Sequence, residues 1–105
     1  ISTIPDRSLV YRYREMAGHN TLWPQVHASR GCPHNCDYCA VVRHFGHRVR
    51  TRPPENVVEE IRQAIAFHDR PGRLLRVLWL TDDNFFADRD WAMSVLRAIL
   101  RSGIR

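Results

Sequence analysis

The chain has 105 residues, 44% of them hydrophobic and 26% charged, a globular composition that excludes a disordered or low-complexity segment. Its 16 basic residues are all Arg and outnumber 11 acids for a net charge of +5. They are spread along the chain rather than gathered in a patch, which argues against a nucleic-acid partner. No apolar run reaches the length of a membrane span, and no signal-peptide pattern opens the chain.

In chain order, residues 1–22 lack sustained periodicity and are punctuated by Pro5, Asp6, Gly18, His19 and Asn20. They read as a lead-in or linker with a short helical turn over residues 9–16. Residues 25–29 are expected to form a strand, stopped by Arg30 and Gly31. A cysteine-bearing loop follows, and residues 41–51, rich in Arg and His, fit neither period. Pro53, Pro54 and Glu55 make a helix start. Val57, Val58, Ile61, Ala64, Ile65 and His68 then share one face, and Pro71 with Gly72 ends the helix. Residues 74–81 form a nearly continuous apolar run that suits a buried parallel strand, closed by Asp82, Asp83 and Asn84. Asp88 is the expected N-cap of a second helix, with Trp91, Val95, Ala98 and Ile99 inward and Gly103 as its C-cap.

Strands alternating with helices predict an α/β fold with a parallel sheet and helices outside it. Two such units cannot close a barrel or cover their own sheet. The chain also opens at Ile1 rather than Met and stops just after a helix, so it is expected to be a truncated piece of a longer protein. An open sheet with uncovered edges shields a reactive intermediate poorly, and the segment alone is expected to be inactive.

The chemistry concentrates in residues 31–39, Gly-Cys-Pro-His-Asn-Cys-Asp-Tyr-Cys. Three cysteines within eight residues cannot make a complete disulfide framework; they point to metal ligation and a reducing, cytoplasmic compartment. Cys32, Cys36 and Cys39 have the spacing with which one short loop can wrap three corners of an iron-sulfur cubane, leaving the fourth iron open. The competing reading is a closed zinc site completed by His34 or His44, in a zinc-stabilised module that binds nucleic acid through its arginines.

This loop resembles the signature of the radical S-adenosylmethionine (SAM) superfamily, in which the residue before the third cysteine is usually aromatic, as Tyr38 is here. The resemblance implies a (βα)6 partial TIM barrel over residues 23–105, of which this chain holds the N-terminal part. It implies a [4Fe-4S] cluster on Cys32, Cys36 and Cys39 whose fourth iron takes the amino and carboxylate groups of S-adenosyl-L-methionine. Reductive cleavage then gives methionine and a 5′-deoxyadenosyl radical. It also implies an electron donor such as flavodoxin or ferredoxin and a small-molecule substrate, contacted by parts of the barrel beyond this segment. The lead-in Ile4-Pro5-Asp6-Arg7 and the stretch Arg-Thr-Arg-Pro-Pro-Glu-Asn-Val-Val-Glu-Glu-Ile (residues 50–61) resemble the subgroup that joins a cobalamin-binding domain to the radical core. Cobalamin would then be held by a domain upstream. In that frame Tyr38 flanks the adenine or shields the cluster, while Asp82, Asp83 and Asn84 orient the methionine end. They stand where other members carry Gly-Gly-Glu. A related alternative is a radical methylthiotransferase acting on transfer RNA.

Other residues read as structural. His27, His34, His44, His47 and His68 share no metal-binding face, and His68 suits a helix end. Arg48, Arg50 and Arg52 are expected to pair with Glu59 and Glu60 rather than bind an anion. Trp79, Trp91, Phe85 and Phe86 are expected in the core or a pocket wall.

Overall fold

The structure, a computed structural model, describes residues 3–8, 24–68 and 77–104. The turn expected over residues 9–16, the stop at Pro71 and Gly72, and the side chain of His68 lie outside the described residues. The described elements are β1 (Gln25–Val26), β2 (Ser29–Arg30), α1 (Val41–Phe45), β3 (Arg50–Thr51), α2 (Pro54–His68), β4 (Trp79–Leu80) and α3 (Arg89–Arg101).

The expected parallel pairing is present. β1 and β4 run parallel with Gln25 opposite Trp79 and Val26 opposite Leu80. Trp79 N donates to Pro24 O at 3.0 Å and Thr81 N to Val26 O at 3.1 Å, extending the ladder at both ends. Parallel strands require a long crossover, and α2 occupies that stretch of chain. The strand expected over residues 25–29 is divided. β1 takes its first half, while Ser29 and Arg30 turn to pair antiparallel with Thr51 and Arg50 of β3. Residues 41–51, unassigned from periodicity, supply α1 and β3, with Gly46 at φ +79° turning the chain between them.

Among the described residues the core is a cluster of Val26, Ala28, Val57, Ile61 and Val95, with Leu78, Leu80, Phe85, Trp91 and Ile99 packed against it. Val57, Val58, Ile61 and Ala64 of α2 are buried as their spacing predicts. Burying side chains of this size contributes about 1.5–3 kcal/mol each. α3 begins at its predicted cap, where Trp91 N donates to Asp88 Oδ1 at 3.0 Å. Its C-cap is Ser102, and Gly103 follows with φ +72°. The cap thus falls one residue earlier than expected, and Gly103, just past it, carries the left-handed conformation in which the chain leaves the helix.

Alternation along the strands separates two faces. Val26, Ala28, Leu78 and Leu80 lie against the helices, whereas Gln25, His27, Val77 and Trp79 are exposed. Thr81 Oγ1 and His27 Nε2 lie 3.2 Å apart across this second face. The apolar run before Asp82 was expected to be covered on both sides, yet Val77 is 45% and Trp79 48% exposed. Phe86, expected in the core or a pocket wall, is 58% exposed as well. Among the described residues the helices cover one side of the sheet, so a strand hydrophobic on both faces hides only one of them. No described helix is long and apolar enough to cross a membrane.

Candidate metal centre

The cysteine loop leaves the carboxyl end of β2 and runs into α1. Gly31 makes the exit possible. Its φ is +93°, and a Cβ there would sit 2.4 Å from Arg48 O, so the chain passes against the returning backbone where only glycine fits. Cys32 N donates to Gly46 O at 3.4 Å, and Cys39 N to Cys36 O at 3.1 Å, which closes a tight turn around the last two cysteines. Gly31→Ala is expected to cost about 1–3 kcal/mol from backbone conformation alone, read as a lower denaturant midpoint, and to reduce iron uptake with it.

All three cysteines are free; Cys36 is exposed, while Cys32 and Cys39 are partly buried. Among the described residues no three His, Cys, Asp or Glu side chains converge on a point where a single ion would sit. A tetrahedral zinc site needs four such donors around one point. His34 and His44 are both exposed, and the His44 ring lies edge-on to Phe45 at 4.5 Å. A cubane makes a different demand, because each thiolate binds its own iron. Three soft sulfur donors in one accessible loop fit that requirement.

β4 carries a second set of groups to this loop. Asp82 Oδ2 accepts from Ala28 N at 3.2 Å, and its Oδ1 accepts from both the backbone N and the hydroxyl of Ser29. Asp83 Oδ2 accepts from Gly31 N at 3.1 Å. Asn84 Nδ2 approaches Cys32 Sγ at 3.8 Å. These contacts satisfy backbone N–H groups where β1 stops pairing with β4. Asp83 is exposed and Asp82 half-buried. Tyr38, by contrast, is 92% exposed.

A third cluster was not legible as such. Glu60 of α2 is 1% exposed and forms ion pairs with Arg52 and Arg7. Arg52 also donates to His27 O at 2.7 Å, and Arg7 to Gln25 O at 2.8 Å. The expected pairing of the arginines with Glu60 is therefore met by Arg52. Arg50 instead donates to Phe45 O at 2.8 Å, and Glu59 faces Arg62 at 4.0 Å. The signal for a buried Glu60 is its spacing, three residues after Val57 and four before Ala64 on the inner face. In the lead-in, Ser8 N donates to Asp6 Oδ1 at 2.9 Å and holds that carboxyl below its ordinary range. A cavity of about 250 Å³ lies beside the triad, bordered by Arg7, His27, Arg30, Arg50, Arg52 and Glu60.

The chain is similar to hopanoid C-3 methylase of Methylococcus capsulatus, 31% identical over 104 residues, which is 97% of this chain and 18% of that protein. It is 30% identical over 80 residues to cytidylyl-2-hydroxyethylphosphonate methyltransferase of Streptomyces wedmorensis, 76% of this chain and 14% of that one. Hopanoid C-2 methylase of Rhodopseudomonas palustris is 28% identical over 75 residues, covering 71% of this chain and 13% of the relative. The chain thus spans at most 18% of the length of these curated relatives. No solved structure matches it. The family model described as Radical SAM superfamily covers residues 26–105, from β1 through the cysteine loop to the end of the chain, and the chain belongs to that superfamily.

Proposed function

We propose that this segment is the cluster-binding part of a radical SAM enzyme that transfers a methyl group to a small molecule. The observation that carries the reading is the meeting of two strand ends. The three-cysteine loop follows β1 and β2, and the carboxylates and amide of residues 82–84 follow β4, its parallel neighbour. Ligands of parallel α/β folds gather at the carboxyl ends of the strands.

Cys32, Cys36 and Cys39 would hold a [4Fe-4S] cluster. Bound there, the cluster would supply one electron for cleavage of a carbon–sulfur bond in S-adenosyl-L-methionine, itself received from a flavodoxin- or ferredoxin-like donor. Tyr38, exposed beside the third cysteine, would be free to flank the adenine or shield the cluster. Of the three candidates for the methionine end, Asp82 has both oxygens engaged by Ala28 and Ser29. Asp83, exposed and bound through one oxygen to Gly31 N, is the carboxylate best able to meet an ammonium or sulfonium. The rest of a (βα)6 partial barrel, from chain beyond these residues, would cover the exposed face of Gln25, His27, Val77 and Trp79. The methylase and methyltransferase names of relatives matched over 71% to 97% of the chain support methyl transfer, against a putative methylthiotransferase matched over 35% of it. The resemblance of the lead-in and of residues 50–61 supports a cobalamin domain upstream, and the cluster's need for free thiols a cytoplasmic setting.

Anaerobic reconstitution with iron and sulfide is expected to load about four irons per chain. Adding S-adenosyl-L-methionine is then expected to change the electron paramagnetic resonance (EPR) spectrum of the reduced cluster, with Asp83→Asn weakening that response about tenfold. A colourless protein holding one zinc, or a spectrum indifferent to S-adenosyl-L-methionine, would overturn the reading.

A further inference from the structure

Resting on the cluster reading of Cys32, Cys36 and Cys39, we infer that Asn84 is a positioning residue that donates a hydrogen bond to the Cys32 thiolate and raises the cluster's reduction potential. Asn84 Nδ2 lies 3.8 Å from Cys32 Sγ, and the contact is partly shielded from water. A thiolate bound to iron has no proton to give, so the side-chain amide can meet that sulfur only through its NH2 group. Hydrogen bonds to ligand sulfurs draw charge from the cluster and stabilise its reduced, more negative form. Removing one therefore makes reduction harder.

The position of Asn84 is not incidental to a mobile turn. The two residues before it are tied to the same loop, Asp82 to Ala28 and Ser29 and Asp83 to Gly31. Three of the four backbone positions leading into Cys32, namely Ala28, Ser29 and Gly31, are thus bridged to the two residues that precede the amide. Phe85 anchors the other side, packed against Trp91 with ring centroids 5.5 Å apart. An amide so constrained loses little freedom in making the bond. The arrangement also explains why an amide rather than a third carboxylate follows Asp82 and Asp83. A carboxylate in that place would set a negative charge beside a thiolate.

The test is a potentiometric titration of the anaerobically reconstituted protein, followed by EPR without S-adenosyl-L-methionine, on wild type, Asn84→Ala and Asn84→Asp. Iron per chain is measured on the same samples. Asn84→Ala is expected to keep its iron and to titrate lower by the equivalent of about a tenfold drop in the one-electron equilibrium constant, or about 59 mV. Asn84→Asp is expected to fall at least as far. Wild-type potentials in both variants would overturn the inference. Loss of iron from either variant would also overturn it, showing a purely structural role. A wild-type chain that takes up no iron would instead sink the cluster reading itself, and the iron count tells the two failures apart.

Discussion

Replacing any one of Cys32, Cys36 and Cys39 with Ala is expected to abolish cluster retention, taking iron from about four per chain to near zero and removing the broad visible charge-transfer absorbance. The effect should be all-or-none, because a cubane held by two thiolates leaves two irons open to solvent and to chelators. His34→Ala and His44→Ala are the controls. Both side chains are exposed, and neither substitution should change iron content. If removal of either histidine releases the metal while one cysteine proves dispensable, the three-thiolate assignment fails. Iron and acid-labile sulfide analysis after desalting decides between them.

The second large effect concerns stability. Glu60→Ala is expected to destabilise the chain by about 3–5 kcal/mol, because it strands two guanidinium groups around a buried position. The Arg52 side chain is 6% exposed and that of Arg7 15%. Arg7 Nε, Arg52 Nε and one Arg52 terminal nitrogen already lack partners, so Glu60 is the main compensation for both cations. Glu59→Ala, one residue earlier but 48% exposed at its side chain, should stay within about 0.5 kcal/mol of wild type. Replacing Arg7, Arg52 and Glu60 together with Met, Met and Leu should cost less than Glu60→Ala alone, since desolvation is relieved with the pairing. Urea unfolding measures all three. Equal losses for Glu59→Ala and Glu60→Ala would show that the buried network is not what holds the lead-in to α2.

The parts of the fold that depend on local periodicity are readable without coordinates. α2 follows from apolar spacing behind Pro53 and Pro54, and α3 from apolar spacing and a cap whose side chain acts within three residues, as Asp88 does on Trp91 N. The parallel sheet follows from the order of elements. Strand lengths do not, because whether residues 25–29 stay in one ladder depends on where β3 arrives, and Arg50 and Thr51 draw Ser29 and Arg30 away from β4. The cysteines are legible because ligand spacing is itself local. The use of Asp82 is not. An acid after a strand reads equally as a ligand or a polar turn, and the contacts that occupy its carboxylate come from Ala28 and Ser29, 54 and 53 residues upstream. Glu60 escapes for a related reason. Its position marks it as inward, but the Arg7 that makes burial tolerable lies 53 residues earlier, where no pattern announces it.

The ties from residues 82–84 to residues 28–32 also set an order of events during synthesis. A nascent polypeptide that has cleared the ribosome only as far as Leu80 owns all three thiols and the β2–β3 pairing beneath them, but none of the side-chain ties from Asp82, Asp83 and Asn84. Contacts between such distant positions wait for the intervening chain to be made and folded. Iron offered before that point would meet thiols lacking those ties; after it, the same thiols stand on a braced platform.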